Sequence, residues 1–235
     1  MIVLAIALCL VGATEPRVKD AEGFAAHGEP DTARATYEVI LDELVASGAA
    51  TSAALHYNVG TLALGAGDVG PAVLQLLAAE RRDPLNDDIR HNLAAALARR
   101  ADQVEGSSSL PPGARLPPAP VRRAFGACLA LLGILVAVAG IRRRGLPAAV
   151  LRVAVGAVVV SGAVFAVRLA AEDAVLVVVQ RDTEARPQPD ASAVGFTVHP
   201  GLTGTVVSEQ QGFLRLRLEN GVDVWVATDA LAVVP

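Results

Sequence analysis

The sequence predicts a multidomain membrane protein with an all-α part of helical hairpins, two transmembrane helices and a small all-β barrel. Three observations carry that reading. Residues before about 104 repeat apolar and small side chains every three or four positions, the period of helices with one buried face. Two long apolar stretches follow, and from Ala124 to Ala171 there are five arginines and no acid. After them come short β-rich runs divided by Pro, Gly and Asn-Gly. The hydrophobic fraction of 53% fits the apolar middle, and 235 residues allow one or two modest domains.

Charge and cysteine count exclude several classes. The net charge is −4, and acids outnumber bases outside the arginine-bearing middle, so neither flank has the basic patch of a nucleic-acid binder. Cys9 and Cys128 both lie in apolar segments, which leaves no disulfide framework and no metal site. Leu8 is bulkier than the residue that precedes a lipoprotein-processing cysteine, so Cys9 reads as a plain apolar residue.

The chain opens on "MIVLAIALCLVGA", residues 1–13, an apolar run too short to span a bilayer, which takes about 20 residues. It reads as a signal peptide, with Val11 and Ala13 placed for cleavage before Thr14, although the basic lead of such signals is missing. A short uncleaved anchor and a buried helix are the other readings.

Residues 14–104 form the helical domain. In "HYNVGTLALGAGDVGPAVLQLLAAERRDPLN", Val59, Leu62 and Ala63 make one stripe, and Ala72, Val73, Leu76 and Ala79 another. Gly67-Asp68 divides the two helices and Pro84 closes the second, which predicts a hairpin. "GEPDTARATYEVI" repeats the turn-then-alanine pattern with Gly28, Ala33, Tyr37 and Ile40, and "DDIRHNLAAALARR" restarts a first helix, Asn92-Leu93 echoing Asn58-Val59.

On these residues Ala53–Asn86 resembles one tetratricopeptide repeat (TPR), and it has the 34-residue length of that family. Gly60, Ala72 and Ala79 match its small positions, where a bulky side chain would push paired helices apart, and Pro84 matches its terminal proline. His56 stands where the family often has tryptophan, and Leu64-Gly65 fits less well. The preceding copy is more diverged, and the last helix stands alone, as a cap does. The resemblance implies a groove lined by the first helix of each hairpin. Tyr57, Thr61, Asp88 and His91 would face a partner protein there, with Asn58 and Asn92 nearby or making ordinary structural hydrogen bonds.

"EGSSSLPPGARLPPAPVRR", residues 105–123, reads as a semi-extended linker, with proline-rich recognition as the lesser reading. Transmembrane helix 1 then occupies 124–141, about 27 Å of helix at about 1.5 Å per residue. Residues 142–145 hold Arg142, Arg143 and Arg144, and transmembrane helix 2 occupies 146–171. Arg152 and Arg168 lie near opposite ends of that second stretch, where each can snorkel to an interface. A three-arginine loop between two spans belongs in the cytoplasm by the positive-inside rule, which puts both long flanks outside. Arg122 and Arg123 at the outer end weaken the bias. The expected location is the bacterial inner (cytoplasmic) membrane, with both flanks extracytoplasmic.

Residues 172–235 form the β domain. "FLRLRL" alternates as a half-buried strand does, and Asn220-Gly221 before "VDVWV" signals a hairpin. About five short strands suggest a barrel. The stretch resembles a bacterial SH3-type (SH3b) domain in the order of its motifs: R-x-x-P-like residues near Ala185–Asp190, Gly201–Val206, Gly212-Phe213-Leu214-Arg215, and Val224-Trp225-Val226, where Val224 replaces a usual glycine. Phe196, Phe213 and Trp225 are its candidate aromatic patch for a peptide. A core role suits Trp225 equally well, because large side chains are scarce here.

No catalytic set is evident. His27, His56, His91 and His199 have no metal-ligand spacing, and the single lysine, Lys19, lies in no phosphate loop. No cofactor is expected. Taken together, the domain order resembles BatE-like proteins, the tetratricopeptide components of the Bacteroides-type aerotolerance system. Membership would imply an accessory role beside a MoxR-type ATPase and von Willebrand factor A-domain membrane proteins, in envelope stress or assembly. The leading expectation is a non-enzymatic, membrane-anchored interaction scaffold. A cell-wall sensor gripping peptidoglycan or its peptides is the alternative, and an unrecognised catalytic site the third reading.

Overall fold

The computed structural model describes residues 15–102, 116, 118–142, 147–172, 175–190 and 192–235. The expected signal run, most of the linker, and Arg143 and Arg144 lie outside them. The chain divides into two compact units: the residues through Asp102 together with Val175–Pro235, and the two long apolar helices.

The first unit starts with five helices. Residues 15–26 form α1, followed by α2 (Pro30–Ala46), α3 (Ala53–Ala66), α4 (Val69–Arg82) and α5 (Asp87–Ala98). The Ser52 side chain caps α3 by accepting from Leu55 N, and Asn86 caps α5 by accepting from Asp88 N and Ile89 N. Helices α3 and α4 pair as the hairpin expected from Gly67-Asp68. A Cβ on Gly60 would lie 2.8 Å from Leu76 Cγ and 3.1 Å from Leu76 N, so glycine is what lets the two helices meet. Ala72, Val73, Leu76 and Ala79 are fully buried. Burying a side chain such as Leu76 stabilises the fold by roughly 1.5–3 kcal/mol.

The same unit holds seven strands: β1 (Leu176–Val179), β2 (Thr183–Ala185), β3 (Phe196–Val198), β4 (Thr203–Gln210), β5 (Phe213–Leu218), β6 (Asp223–Ala227) and β7 (Leu231–Val233). They do not close into the expected barrel. A five-stranded antiparallel sheet runs β6-β5-β4-β1-β7, and β2-β3 make a separate two-stranded sheet. The two sheets touch through an isolated bridge between Arg186 and Trp225. Their shared core includes Val177, Val179, Val198, Leu216 and Val226. Strand β5 alternates as "FLRLRL" requires, with Leu214, Leu216 and Leu218 buried. At the Asn220-Gly221 turn only Gly221 takes a positive φ, +82°, while Asn220 Oδ1 accepts from Val222 N. The turn with two consecutive positive φ angles is Gln211-Gly212, between β4 and β5, the two-residue pattern that matches strand twist.

Helices and sheet pack together closely. A Cβ on Gly70, in the first turn of α4, would lie 3.1 Å from Val179 O and 3.2 Å from Pro200 Cβ. Arg81 Nη1 donates to Val234 O at 2.9 Å, and Arg82 Nη1 to Pro235 O at 3.0 Å. Past α5, Arg100 pairs with Glu219 at 3.1 Å, and Asp102 accepts from the backbone N of His199 at 2.6 Å. Ser109–Ala174, the unit of the two long helices, is therefore inserted in the sequence between two parts of one folded body.

The second unit consists of α6 (Pro118–Arg142) and α7 (Ala148–Glu172). Helix α6 begins earlier than expected, taking in residues 118–123 that read as linker. Both helices are long and apolar enough to cross a membrane. They leave large apolar side chains exposed, among them Ile134 at 60% and Val153 at 73%, which a helix in water would hide. Phe125 stacks on Phe165 with centroids 5.1 Å apart, and Gly162 leaves room for the Phe125 ring. Arg152 is exposed and Arg168 buried.

Candidate partner-binding surfaces

Helices α3 and α5 bring three of the expected groove residues into direct contact. Asn92 Nδ2 lies 3.1 Å from the Tyr57 hydroxyl and 3.0 Å from Thr61 Oγ1, donating to both. Tyr57 and Thr61 are four residues apart on α3, so they share one helix face. The amide fixes both hydroxyl oxygens as acceptors and leaves their protons to point elsewhere. Asn58 instead bonds Tyr37, whose hydroxyl is pushed above its ordinary pKa by burial and by Glu22. Both asparagines thus make hydrogen bonds inside the fold. Asp88 and His91 are exposed on α5, and His91 makes no hydrogen bond among the described residues.

Two depressions flank the Tyr57 ring. One of about 320 Å³ is lined by Glu22, Tyr37, Tyr57, Asn58, Thr61 and their neighbours. The other, about 170 Å³, is lined by Tyr57, Asp83, Asn86, Asp88, Ile89 and the start of α3. Tyr57 is the residue common to both.

His56 has a role the sequence did not suggest. It is fully buried, with Nδ1 2.7 Å from Gln75 Oε1 and Nε2 2.8 Å from Thr51 Oγ1. Gln75 Oε1 can only accept, so Nδ1 carries the hydrogen and Nε2 accepts from the Thr51 hydroxyl. Arg82 Nη2 donates to the same Thr51 oxygen at 2.7 Å. Burial, with Arg82 close by, pulls the imidazole pKa down to about 4, so the ring is neutral at pH 7. Where an aromatic ring was the expected occupant, a polar chain joins α3, α4 and the loop between α2 and α3. The signal available was the polar pair Thr51 and Gln75 at either side of a histidine on the buried face.

The expected aromatic patch is only partly assembled. Phe213 and Trp225 lie half-buried on the outer face of β5-β6, because Leu214, Val224 and Val226 take the inner one. Trp225 is therefore not a core residue. Arg186 caps the Phe213 ring, with its guanidinium carbon 5.5 Å from the centroid, and exchanges two 2.8 Å backbone hydrogen bonds with Trp225. Arg215 stands opposite Trp225, and both Arg215 and Arg217 pair with Asp223, whose carboxyl they hold below its ordinary pKa. Phe196 is 54% exposed opposite buried Ala185 on the two-stranded sheet, and no ring contact joins it to Phe213 or Trp225 among the described residues.

Arg142 is the last residue of α6. Among the described residues, no group of three or more His, Cys, Asp or Glu side chains is placed to hold a metal ion. Comparison with family models, with curated proteins and with solved structures gives no match for this chain.

Proposed function

We propose that the protein is a non-enzymatic, membrane-anchored interaction scaffold of the bacterial cell envelope, binding a partner protein through the face that carries Tyr57 and Thr61. In this reading α1–α5 are a short tetratricopeptide array and the strands an SH3-like module. The two apolar helices hold the assembly at the inner membrane, in a system of the BatE-like aerotolerance type. The observation that carries the reading is the Asn92 amide bonded to Tyr57 and Thr61. It positions an aromatic ring and two hydroxyl donors on one face, beside open depressions, and assigns them no further partner inside the fold.

The inserted position of α6 and α7 supports the anchoring. Both ends of that insertion emerge from one body, so its flanks belong on one side of a membrane and the two helices return the chain to where it left. The basic run Arg142–Arg144 favours the extracytoplasmic side for that body.

A photo-crosslinking side chain at position 91, one helical turn from exposed Asp88 on α5, tests the reading in cells. A discrete adduct from position 91, absent from position 45 on α2 and lost with Tyr57→Ala, is the expected result. Equal crosslinking from both positions would remove the groove from the account. A second reading, wall binding through the sheet, rests on Phe213 and Trp225 sharing one outer face. It predicts retention on purified peptidoglycan that Trp225→Ala reduces and Tyr57→Ala does not.

A further inference from the structure

The groove's charge points to the chemistry of its occupant. The charged residues lining the two depressions beside Tyr57 are Glu22, Asp83 and Asp88, and neither depression is lined by a lysine or arginine. Glu22 and Asp88 are exposed, on α1 and α5, at either side of the α3 face that carries Tyr57 and Thr61. Three bases of the neighbouring elements have other partners: Lys19 pairs with Glu15, Arg90 with Asp87, and Arg82 bonds Thr51 and Pro235. Asp83 accepts from the Asn86 amide, while the Glu22 and Asp88 carboxylates make no ion pair among the described residues.

We infer that the groove takes an extended, lysine- or arginine-bearing segment of a partner polypeptide, its cations set against Glu22 and Asp88 and its backbone carbonyls against the Tyr57 and Thr61 hydroxyls. This rests on the proposed binding role of the same face and adds the partner's charge. Complementary charge across a surface groove speeds encounter and rejects acidic competitors more than it adds affinity, so discrimination between peptides is the property to measure. Exposed carboxylates also make the interaction sensitive to salt.

The test uses the full chain in nanodiscs of zwitterionic lipid, with a fluorescent lysine-bearing peptide and its glutamate counterpart of equal length as probes. The lysine peptide is expected to bind at least about tenfold more tightly at low salt, an advantage that shrinks as salt is raised. Glu22→Gln with Asp88→Asn should abolish that preference, and Tyr57→Ala should weaken the lysine peptide in the otherwise unchanged chain. A circular-dichroism spectrum and thermal midpoint of the Tyr57→Ala chain that match the parent control for loss of fold. Equal binding of the two peptides, or none by the lysine peptide, overturns the charge inference. Preference that survives Glu22→Gln with Asp88→Asn also overturns it. Binding that Tyr57→Ala leaves untouched overturns the groove itself, so the two failures are distinguishable.

Discussion

Arg100, just past the end of α5, and Glu219, just past the end of β5, form an ion pair 3.1 Å long whose side chains are 5% and 7% exposed. The pair joins residues 119 positions apart, and the Thr203 hydroxyl donates to the same Glu219 oxygen. Opposite charges held out of water do not add stability cheaply, because each loses its hydration. They do punish any arrangement that separates them. That makes the pair a device for fixing how the sheet sits on the helices.

Arg100→Met should accordingly destabilise the folded body by about 3 kcal/mol, since it leaves the Glu219 carboxylate buried without its cation. Arg100→Met with Glu219→Leu should recover most of that loss. Chemical unfolding of the two variants measures both, and a double variant as unstable as the single one would show that the charges are not what holds the contact.

His199 predicts a second dependence at the same junction. Its ring is held above the ordinary imidazole pKa, first by the Nδ1 hydrogen bond to Asp102 at 2.9 Å and then by that carboxylate's charge. A raised folded pKa means stability that is full below about pH 6.5 and lost as pH rises through the raised value. The unfolding midpoint should fall as pH is raised above about 6.5, and His199→Gln should flatten that limb. An unchanged slope in the variant would place the pH sensitivity elsewhere.

His56 works in the opposite direction. Its folded pKa of about 4 lies below the ordinary 6.5, so the unfolded chain takes up a proton that the folded one refuses. Stability is present above pH 6.5 and is lost as pH falls towards 4, by about 3 kcal/mol. His56→Gln should remove this acid limb while leaving the alkaline one, a separation that titration of both variants reads directly.

Gly60→Val tests the helical hairpin. The new Cβ would meet Leu76 at 2.8 Å, with the α4 backbone only slightly farther away, so the helices must separate. Overpacking of this kind costs about 1–3 kcal/mol. A thermal midpoint within error of the parent would mean that α3 and α4 are less tightly apposed than described.

Local patterns were legible in the sequence, and contacts across the insertion were not. The Ala72, Val73, Leu76, Ala79 stripe, the glycine at position 60, the two apolar helices and the alternation of Phe213–Leu218 all follow from spacing alone. Trp225 was legible by the same rule: it alternates with Val224 and Val226 and shares a face with Asp223, which sends it outward. The aromatic-poor composition argued for the core and lost to that alternation. Strands β2, β3 and β7 have three residues each, too few to show a period. The Gln211-Gly212 turn lacks the Asn-Gly signature. Gly70 against Val179 and Asp102 against His199 depend on residues about a hundred positions apart, with the apolar helices between them, and no local preference encodes such a meeting.

Helices and sheet form one body, which the proposed function places on one side of a membrane. Single-cysteine labelling with a membrane-impermeant thiol reagent tests it most directly, in a chain with Cys9 and Cys128 replaced. Val45→Cys on α2 and Val222→Cys in the sheet, both exposed, report the two parts of the body, and Arg143→Cys reports the loop. Positions 45 and 222 are expected to label together in intact cells, and position 143 only after lysis. Positions 45 and 222 labelling from opposite sides would contradict that placement, because a body divided by a membrane cannot keep Arg100 on Glu219.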